Sequence, residues 1–273
     1  MHRPRLGNFS HFAQPVMTTA AEIAAYADEL LQTRGVPDYP NALNGLQVAT
    51  DSPIRSLAAA VDFSSRSVSG AMAAGANLLL VHHGAFWAGA QPLTGSRYKI
   101  FRSLFANGIG VYSSHLPLDC HSSLGNNVLL AKALGLEPDS GFGRFKDILI
   151  GLSGETSVGA EDLMARVSNF AAGHGGGVHH TPFPEKKIFR RWAICSGGGA
   201  SAETLQEAAA KNVDVLIVGE GPHWTAVDAE ESGLVIIFAG HYATETLGVQ
   251  ALAQTLGSHF KIPWSFVPTP TGT

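Results

Sequence analysis

Residues 57–84 read LAAAVDFSSRSVSGAMAAGANLLLVHHG and show a strand–helix–strand order. A short apolar run comes first, a segment rich in Ser, Ala and Gly follows, and a second apolar run ends in two adjacent histidines. Short apolar runs between turn residues are typical of buried strands, and strands that alternate with helices pair mainly in parallel. The stretch therefore predicts an α/β unit whose second strand ends at His82 and His83.

The second half of the chain repeats this order. Residues 191–221, RWAICSGGGASAETLQEAAAKNVDVLIVGEG, again predict strand, turn, helix and buried strand. Later segments, VYSSHLPLD at 111–119 and IIFAGHYATE at 236–245, are apolar strands that end at a histidine with a carboxylate four residues on. The repeat is explained either by the general likeness of α/β units or by duplication, and the recurring His-x-x-x-carboxylate favours duplication. We predict two related α/β lobes with mainly parallel sheets, 18–139 and 140–273.

The composition favours a compact protein that binds neither nucleic acid nor a membrane. Apolar residues make up 45% of the 273 residues, and the net charge of −4 gives no basic surface for phosphates. No apolar run approaches the roughly 18 residues of a membrane-spanning helix. The two cysteines cannot build a disulfide framework, which favours a reducing compartment, the cytoplasm. Residues 1–17 contain no apolar signal-peptide block and are predicted to be a flexible tail.

Several residues with metal-binding side chains lie at the predicted strand ends. Ligands gather at the carboxyl ends of parallel strands, so these residues are expected to meet in a cleft shared by the two lobes. Imidazole and carboxylate groups suit divalent ions such as Zn, Fe, Mn, Ni or Mg. Adjacent residues of a strand point in opposite directions, so the two neighbouring histidines suit two metal ions better than one. The candidates are His82, His83, His115, Asp119, Glu220, His241 and Glu245, with Asp119 or Glu245 able to bridge the ions.

Other features stay open at this stage. The SGGGAS turn at 196–201 precedes a predicted helix, where it either cradles a phosphate through backbone N–H groups or forms a tight turn. Trp87 and Trp224 either line the pocket or pack beneath loops. His179 and His180 lie in a loop flanked by Gly and Pro, and we predict that they are surface residues.

Six motifs together resemble one family. NGLQV, VHHGAFW, SHLPLDCHSSLGNN, CSGGGAS, GEG and AGHYATE occur in the order found in the Nif-three-like dinuclear metal-binding family, also called GTP cyclohydrolase 1 type 2 homologues. The chain is most similar to the short bacterial form, over roughly residues 38–268. The resemblance implies two divalent ions held by His82, His83, Asp119, His241 and Glu245, with Glu245 shared. It also implies that His115 binds substrate or supports a ligand, and that the protein is a homo-oligomer, commonly a toroidal hexamer.

Two functions follow from this sequence. The first is a metal-dependent hydrolase in which a hydroxide shared by two ions attacks a small molecule, such as the purine ring of GTP at a C–N bond. In that hypothesis Glu245 and His115 are the catalytic residues, and His115 moves a proton. The alternative is a non-enzymatic metal-binding ring that carries metal or acts as a protein-interaction scaffold. An open metal position beside apolar walls, with Phe86 and Trp87 as the candidates, favours the hydrolase.

Overall fold

The computed structural model describes residues 18–272, so the predicted tail at 1–17 lies outside the described residues. The strands are β1 Gly45–Val48, β2 Leu57–Asp62, β3 Leu78–His83, β4 Gly110–Ser113, β5 Ser140–Phe145, β6 Ile148–Gly159, β7 His179–His180, β8 Ile188–Cys195, β9 Val215–Val218, β10 Val235–Phe238 and β11 Trp264–Phe266. The helices are α1 Ala20–Leu30, α2 Ser65–Ala73, α3 Gly95–Asn107, α4 Leu116–Asp119, α5 Asn126–Ala133, α6 Ala160–Gly173, α7 Ala202–Ala210, α8 His223–Glu231, α9 His241–Thr244 and α10 Thr246–Phe260. None of these helices is both long enough and apolar enough to cross a membrane.

Two mixed sheets carry the fold. The first has the order β1–β4–β3–β2–β11, in which only β1 pairs antiparallel. The second has the order β5–β6–β8–β9–β10–β7, with a parallel centre of β8, β9 and β10 between antiparallel neighbours. The predicted α/β fold with mainly parallel pairing is therefore confirmed, and the antiparallel edge strands are an addition to it.

The two sheets contain the repeated unit that the sequence predicts. The order β2–α2–β3–α3–β4 of the first sheet recurs as β8–α7–β9–α8–β10 in the second. The first helix of each unit begins in the same way, because Ser64 accepts a hydrogen bond from the Ser67 amide and Ser201 accepts one from the Thr204 amide. Such N-caps satisfy amides that have no partner within the helix. The shared order places the ends of β3 and β9 at equivalent positions.

The C-terminal segment returns to the first sheet. The second sheet begins in the chain with β5 at Ser140. However, β11 pairs with β2, with Trp264 opposite Leu57, and α10 buries Leu252 and Leu256 in the apolar core beside Leu57. A helix with an apolar stripe must bury it against a neighbouring layer, and here that layer is the first sheet. The division at 139/140 therefore differs from the sheet pairing for residues after α9.

Candidate metal centre

The ends of three parallel strands place the predicted site residues. His82 and His83 are the last two residues of β3, while His115 follows β4 and precedes the short helix α4, which ends at Asp119. In the second half, α9 begins at His241 soon after β10, and Glu245 follows that helix directly. The strands end at buried positions, so His82 is fully buried and Glu245 is only 3% exposed.

Four histidines of the site, at positions 82, 83, 115 and 241, each have an oxygen partner at Nδ1. A carbonyl or carboxylate oxygen lies at hydrogen-bond distance from every Nδ1 atom, and such oxygens only accept. Nδ1 therefore carries the hydrogen, and the neutral ring keeps its lone pair on Nε2, as in metal-bound histidines with a carboxylate partner. The pairs are His82 with the Ser114 carbonyl at 2.9 Å, His83 with Asp62 at 2.9 Å, His115 with Asp38 at 2.8 Å and His241 with Glu220 at 2.8 Å.

Glu245 lies between two groups of ligand atoms. Its Oε1 is 3.6 Å from the Nε2 of His82, and its Oε2 is 3.5 Å from the Nε2 of His83 and 3.2 Å from that of His241. On the first side, Asp119 Oδ2 is 3.5 Å from His82 Nε2. The structure thus brings together all five residues for which the resemblance implies metal ligation. The ring centroid of His115 also lies 4.9 Å from that of His82 and 5.6 Å from that of His83.

Two buried atoms of this cluster have no hydrogen-bond partner among the described residues. They are Nε2 of His82 and Oε2 of Glu245. A buried polar atom without a partner costs about 1–3 kcal/mol, so such atoms point to a missing ligand. Cations beside these two atoms would satisfy each of them, once the imidazole nitrogen has lost any proton it holds. Nitrogen and carboxylate oxygen are also the donors that Zn, Fe and Mn accept, so the residues present fit a divalent metal ion.

The buried carboxylates of the cluster favour positive charge on the groups around them. Burial lowers the pKa of His82, but the carboxylates of Asp119 and Glu245 outweigh it and raise that pKa to about 10. Burial has the same effect on His241, where Glu245 and Glu220 raise the pKa to about 9. Burial raises the pKa of Glu245, yet the nearby His83 and His82 hold it well below its usual range. Without a metal, protons on these histidines neutralise the carboxylates.

A cavity of about 460 Å³ opens beside the cluster. Trp87 lines it, as one of the two alternatives from the sequence expects, whereas Trp224 is not among its lining residues. Phe86 is not a wall of the cavity, which corrects the prediction, because its ring packs against Phe101 at 6.2 Å and under the Arg97 guanidinium. The remaining wall is formed by side chains and backbone from both halves, including Tyr39, Leu116, Asn127, Ser196, Gly198, Gly199 and Tyr242.

Comparison with known proteins agrees with the geometry. The family model Duf34/NIF3 (NGG1p interacting factor 3) matches residues 18–271. This chain belongs to the DUF34/NIF3 family. A GTP cyclohydrolase 1 type 2 homolog of Deinococcus radiodurans is 38% identical over 257 residues, which are 92% of this chain and 93% of the relative. The homolog of Escherichia coli K12 is 34% identical over 256 residues, or 91% and 97% of the two chains.

Solved structures show the same fold. The protein ybgI, described as of unknown function, superposes with a TM-score of 0.84 at 31% identity and covers 94% of this NIF3-family chain and 100% of its own. Reduced HcgD from Methanocaldococcus jannaschii superposes with a TM-score of 0.78 at 26% identity, over 92% and 98% of the two chains. The architecture of this chain is thus that of the NIF3 family.

The residues that orient the histidines were mostly missed from the sequence of this NIF3-family chain. Asp38 accepts from the His115 ring and from the Leu116 amide at 2.9 Å, and Asn44 accepts from the His115 amide at 2.7 Å. Asn126 donates to Asp119 Oδ1 at 2.8 Å. Asp38 lies 77 positions from its histidine. The only available signals were that Asn44 opens the NGLQV motif and that Asp62 ends a buried strand.

The geometry bears on two further features of the sequence. A Cβ atom at Gly197 would collide with Glu245 Oε1, and the residue has a φ of +60°. The SGGGAS turn therefore includes a glycine that lets the backbone approach Glu245, which supports the tight-turn interpretation. His179 and His180 are exposed on the edge strand β7, so the prediction that they are surface residues is confirmed.

Proposed function

We propose that this NIF3-family protein is a hydrolase that uses two divalent metal ions and acts on a C–N bond of a cyclic amidine or a related group. The observation that carries the proposal is the position of Glu245, whose two oxygens face different histidines. A carboxylate between two ligand groups suits a pair of ions better than a single ion. The cavity beside the cluster leaves room for a small molecule to reach it.

The two halves of the molecule would share the ligands. His82, Asp119 and Oε1 of Glu245 would hold the first ion, and His83, His241 and Oε2 of Glu245 would hold the second. When bound, such a pair of ions polarises a substrate carbonyl or amidine carbon and lowers the pKa of water towards neutrality. The protein contributes fixed ligands, since each histidine ring is held through its Nδ1 atom.

His115 is suited to move a proton. It is 8% exposed and lines the cavity, and its Nδ1 hydrogen is held by Asp38. Burial raises the pKa of Asp38, but the hydrogen bonds from His115 and Asn44 outweigh that effect, so the pKa is lowered. Asp38 therefore stays ionised and keeps the hydrogen on Nδ1, which leaves Nε2 as the atom that exchanges a proton with the substrate. We propose this role for His115 together with Glu245 as the catalytic pair.

The names of the relatives point to a candidate substrate. Several are GTP cyclohydrolase 1 type 2 homologs, and opening the purine imidazole ring adds water across a C–N bond at C8. We therefore propose a nucleotide as the first substrate to test. The resemblance to the family also supports a cytoplasmic homo-oligomer, a hexameric ring with its sites on an inner cavity, which the mass in solution tests. A ring that only carries metal or serves as a scaffold is the alternative.

Glu245→Gln separates these functions. The substitution keeps the size of the side chain but removes the charge between the two ligand groups, so turnover should fall by a factor on the order of 100 or more. The control is Glu230→Gln on the exposed face of α8. GTP is assayed first, followed by an untargeted metabolite mixture, with metal content and solution mass measured in parallel. Unchanged turnover with one ion missing contradicts the two-metal mechanism, and a metal-loaded parent that turns over nothing favours the carrier.

A further inference from the structure

Two aromatic side chains stand exposed at the mouth of the cavity. Trp87 is 38% exposed although its ring centroid lies only 4.6 Å from that of His115 and 4.9 Å from that of His83. Tyr39 is 51% exposed and lies 5.9 Å from His115. Large aromatic side chains that remain exposed beside a polar site mark a surface that a ligand covers. We call Trp87 and Tyr39 the aromatic corner.

The aromatic corner is held in place by the residues that build the site. The Tyr39 amide donates to Asp38 Oδ1 at 2.7 Å, the same carboxylate oxygen that accepts from His115. The Trp87 amide donates to the Gly84 carbonyl at 3.3 Å, and the turn is fixed by Gln47, whose side chain accepts from the Ala85 amide at 2.7 Å. The two rings meet edge to face, 6.3 Å apart at 71°. The backbone at both residues is therefore anchored, and the two rings lie at an angle to each other at the mouth of the cavity.

The His241 side of the same cavity has a thin wall. Gly198 lines the cavity, and a Cβ atom added there would have His241 Cε1 as its nearest neighbour, 4.0 Å away. At Gly198 and Gly199 the wall is thus backbone without side chains, although Glu220 and Tyr242 also line the cavity, while the other side carries aromatic rings. A space bounded in this way suits a flat group better than a bulky aliphatic one.

The acidic residues around the corner serve the histidines of the site. Asp62, Glu220 and Asp38 each accept a hydrogen bond from one of these histidines. Because an aromatic cage also binds quaternary ammonium groups, a cation is the competing ligand that the test below includes.

We propose that the aromatic corner recognises a planar nitrogen heterocycle, stacked on Trp87 with one edge facing the metal cluster. This inference rests on the proposed function and adds to it the class of ring and the residues that select it. Trp87 and Tyr39 select the ring, whereas the histidines and Glu245 perform the chemistry. Base stacking on an aromatic side chain is sequence-tolerant, so purines and pyrimidines should both bind, with the larger ring bound more tightly.

The test is calorimetric binding to the metal-loaded full chain. The probes are guanosine, adenosine and uridine monophosphates, with ribose 5-phosphate to report phosphate binding alone and tetramethylammonium to report a cation cage. Trp87→Leu and Tyr39→Leu should each weaken nucleotide binding about tenfold. Trp224→Leu is the matched control, because Trp224 is 42% exposed on α8 and does not line the cavity. Gly198→Ala should also weaken nucleotide binding, since the added methyl group narrows the space for the ring while its Cβ atom stays 4.0 Å from His241 Cε1.

The outcomes separate this proposal from the proposed function. Tighter binding of the nucleotides than of ribose 5-phosphate, lost in Trp87→Leu at unchanged metal content, supports the proposal. It is overturned if no nucleotide binds below 1 mM (about −4 kcal/mol), if Trp87→Leu has no effect, or if tetramethylammonium competes. It is also overturned if Trp87→Leu changes only the solution mass, which would make the corner a contact between copies. Turnover that depends on Glu245 tests the hydrolase independently, because it can persist without ring binding.

Discussion

The ends of β3 and β9 occupy equivalent places in the two repeated units, yet they carry different residues and make different contacts. The first ends in His82 and His83, both directed at Glu245, while the second is followed by Gly219. A Cβ atom at Gly219 would lie 2.7 Å from His241 Cα and 2.6 Å from the Gly197 carbonyl. One unit thus supplies two histidines of the cluster at this position, and the other supplies the space through which the backbone of His241 passes.

The two His-x-x-x-carboxylate segments show the same division. His241 Nε2 is 3.2 Å from Glu245, because His241 lies inside α9 and a helical turn brings residues four apart onto one face. His115 instead precedes α4 with φ of −100° and ψ of −108°, so it pairs with Asp38 while Asp119 faces His82. Identical spacing therefore gives different contacts when the helix starts one residue later.

The largest expected effect is a loss of metal affinity, and it should differ between substitutions of His83 and Glu220 at the two strand ends. His83→Asn removes a nitrogen that faces the cluster and should weaken binding of one Mn²⁺ ion by more than about 100-fold. Glu220→Gln removes only the charge that orients His241 and should cost about 10- to 100-fold. Both variants are stripped of metal with a chelator and then titrated with Mn²⁺ by calorimetry, which checks the order of the two losses in affinity. Equal losses would show that the two strand ends play equivalent roles.

Gly219→Ala probes the space that the second unit provides. The added methyl group must displace the backbone of His241, so we expect a loss of about 1–3 kcal/mol in the free energy of unfolding. Denaturant unfolding of the metal-free protein measures it. The matched control is Gly35→Ala, since a Cβ atom there has no neighbour within 4 Å. Equal stability of the two variants would contradict the close approach at Gly219.

The clustering of the site residues could be predicted from the sequence because its signal is local. A buried strand that stops at His82 and His83, or at His115 or His241, places imidazoles at the edge where parallel strands end, whatever the rest of the chain does. The repeat then indicated that the two sets face each other. These inferences needed only the apolar runs and the side chains that follow them.

The parts that could not be predicted depend on distant pairings. Asp38 reaches His115 across 77 positions, and a lone Asp in a loop has no spacing that marks it. The return of β11 to β2 joins residues more than 200 positions apart, and an apolar C-terminal segment fits either sheet equally well from its pattern alone. Phe86 was wrongly placed in the cavity. It is adjacent to Trp87 in the sequence, but the two side chains face different layers of the structure.

The smallest expected effect is the release of about one proton from each of two histidines when metal binds. The pKa values of His82 and His241, raised from 6.5 to about 10 and about 9, mean that both rings are protonated at pH 7.5 in the metal-free protein. Metal binding must displace these protons, so apparent affinity should rise with pH and level off near pH 9–10. Calorimetry of Mn²⁺ binding in buffers of different ionisation enthalpy counts the released protons. His82→Gln and His241→Gln should each release about one fewer, and an unchanged count contradicts the assignment.

We propose above that Glu245 joins two metal ions, one held by His82 and Asp119 and the other by His83 and His241. Anomalous diffraction from crystals soaked in Mn²⁺, together with metal analysis of the same protein, tests it most directly. We expect two anomalous peaks per chain on either side of Glu245, one beside His82 and Asp119 and the other beside His83 and His241. A single peak, or two peaks that both lie on one side of Glu245, would contradict it.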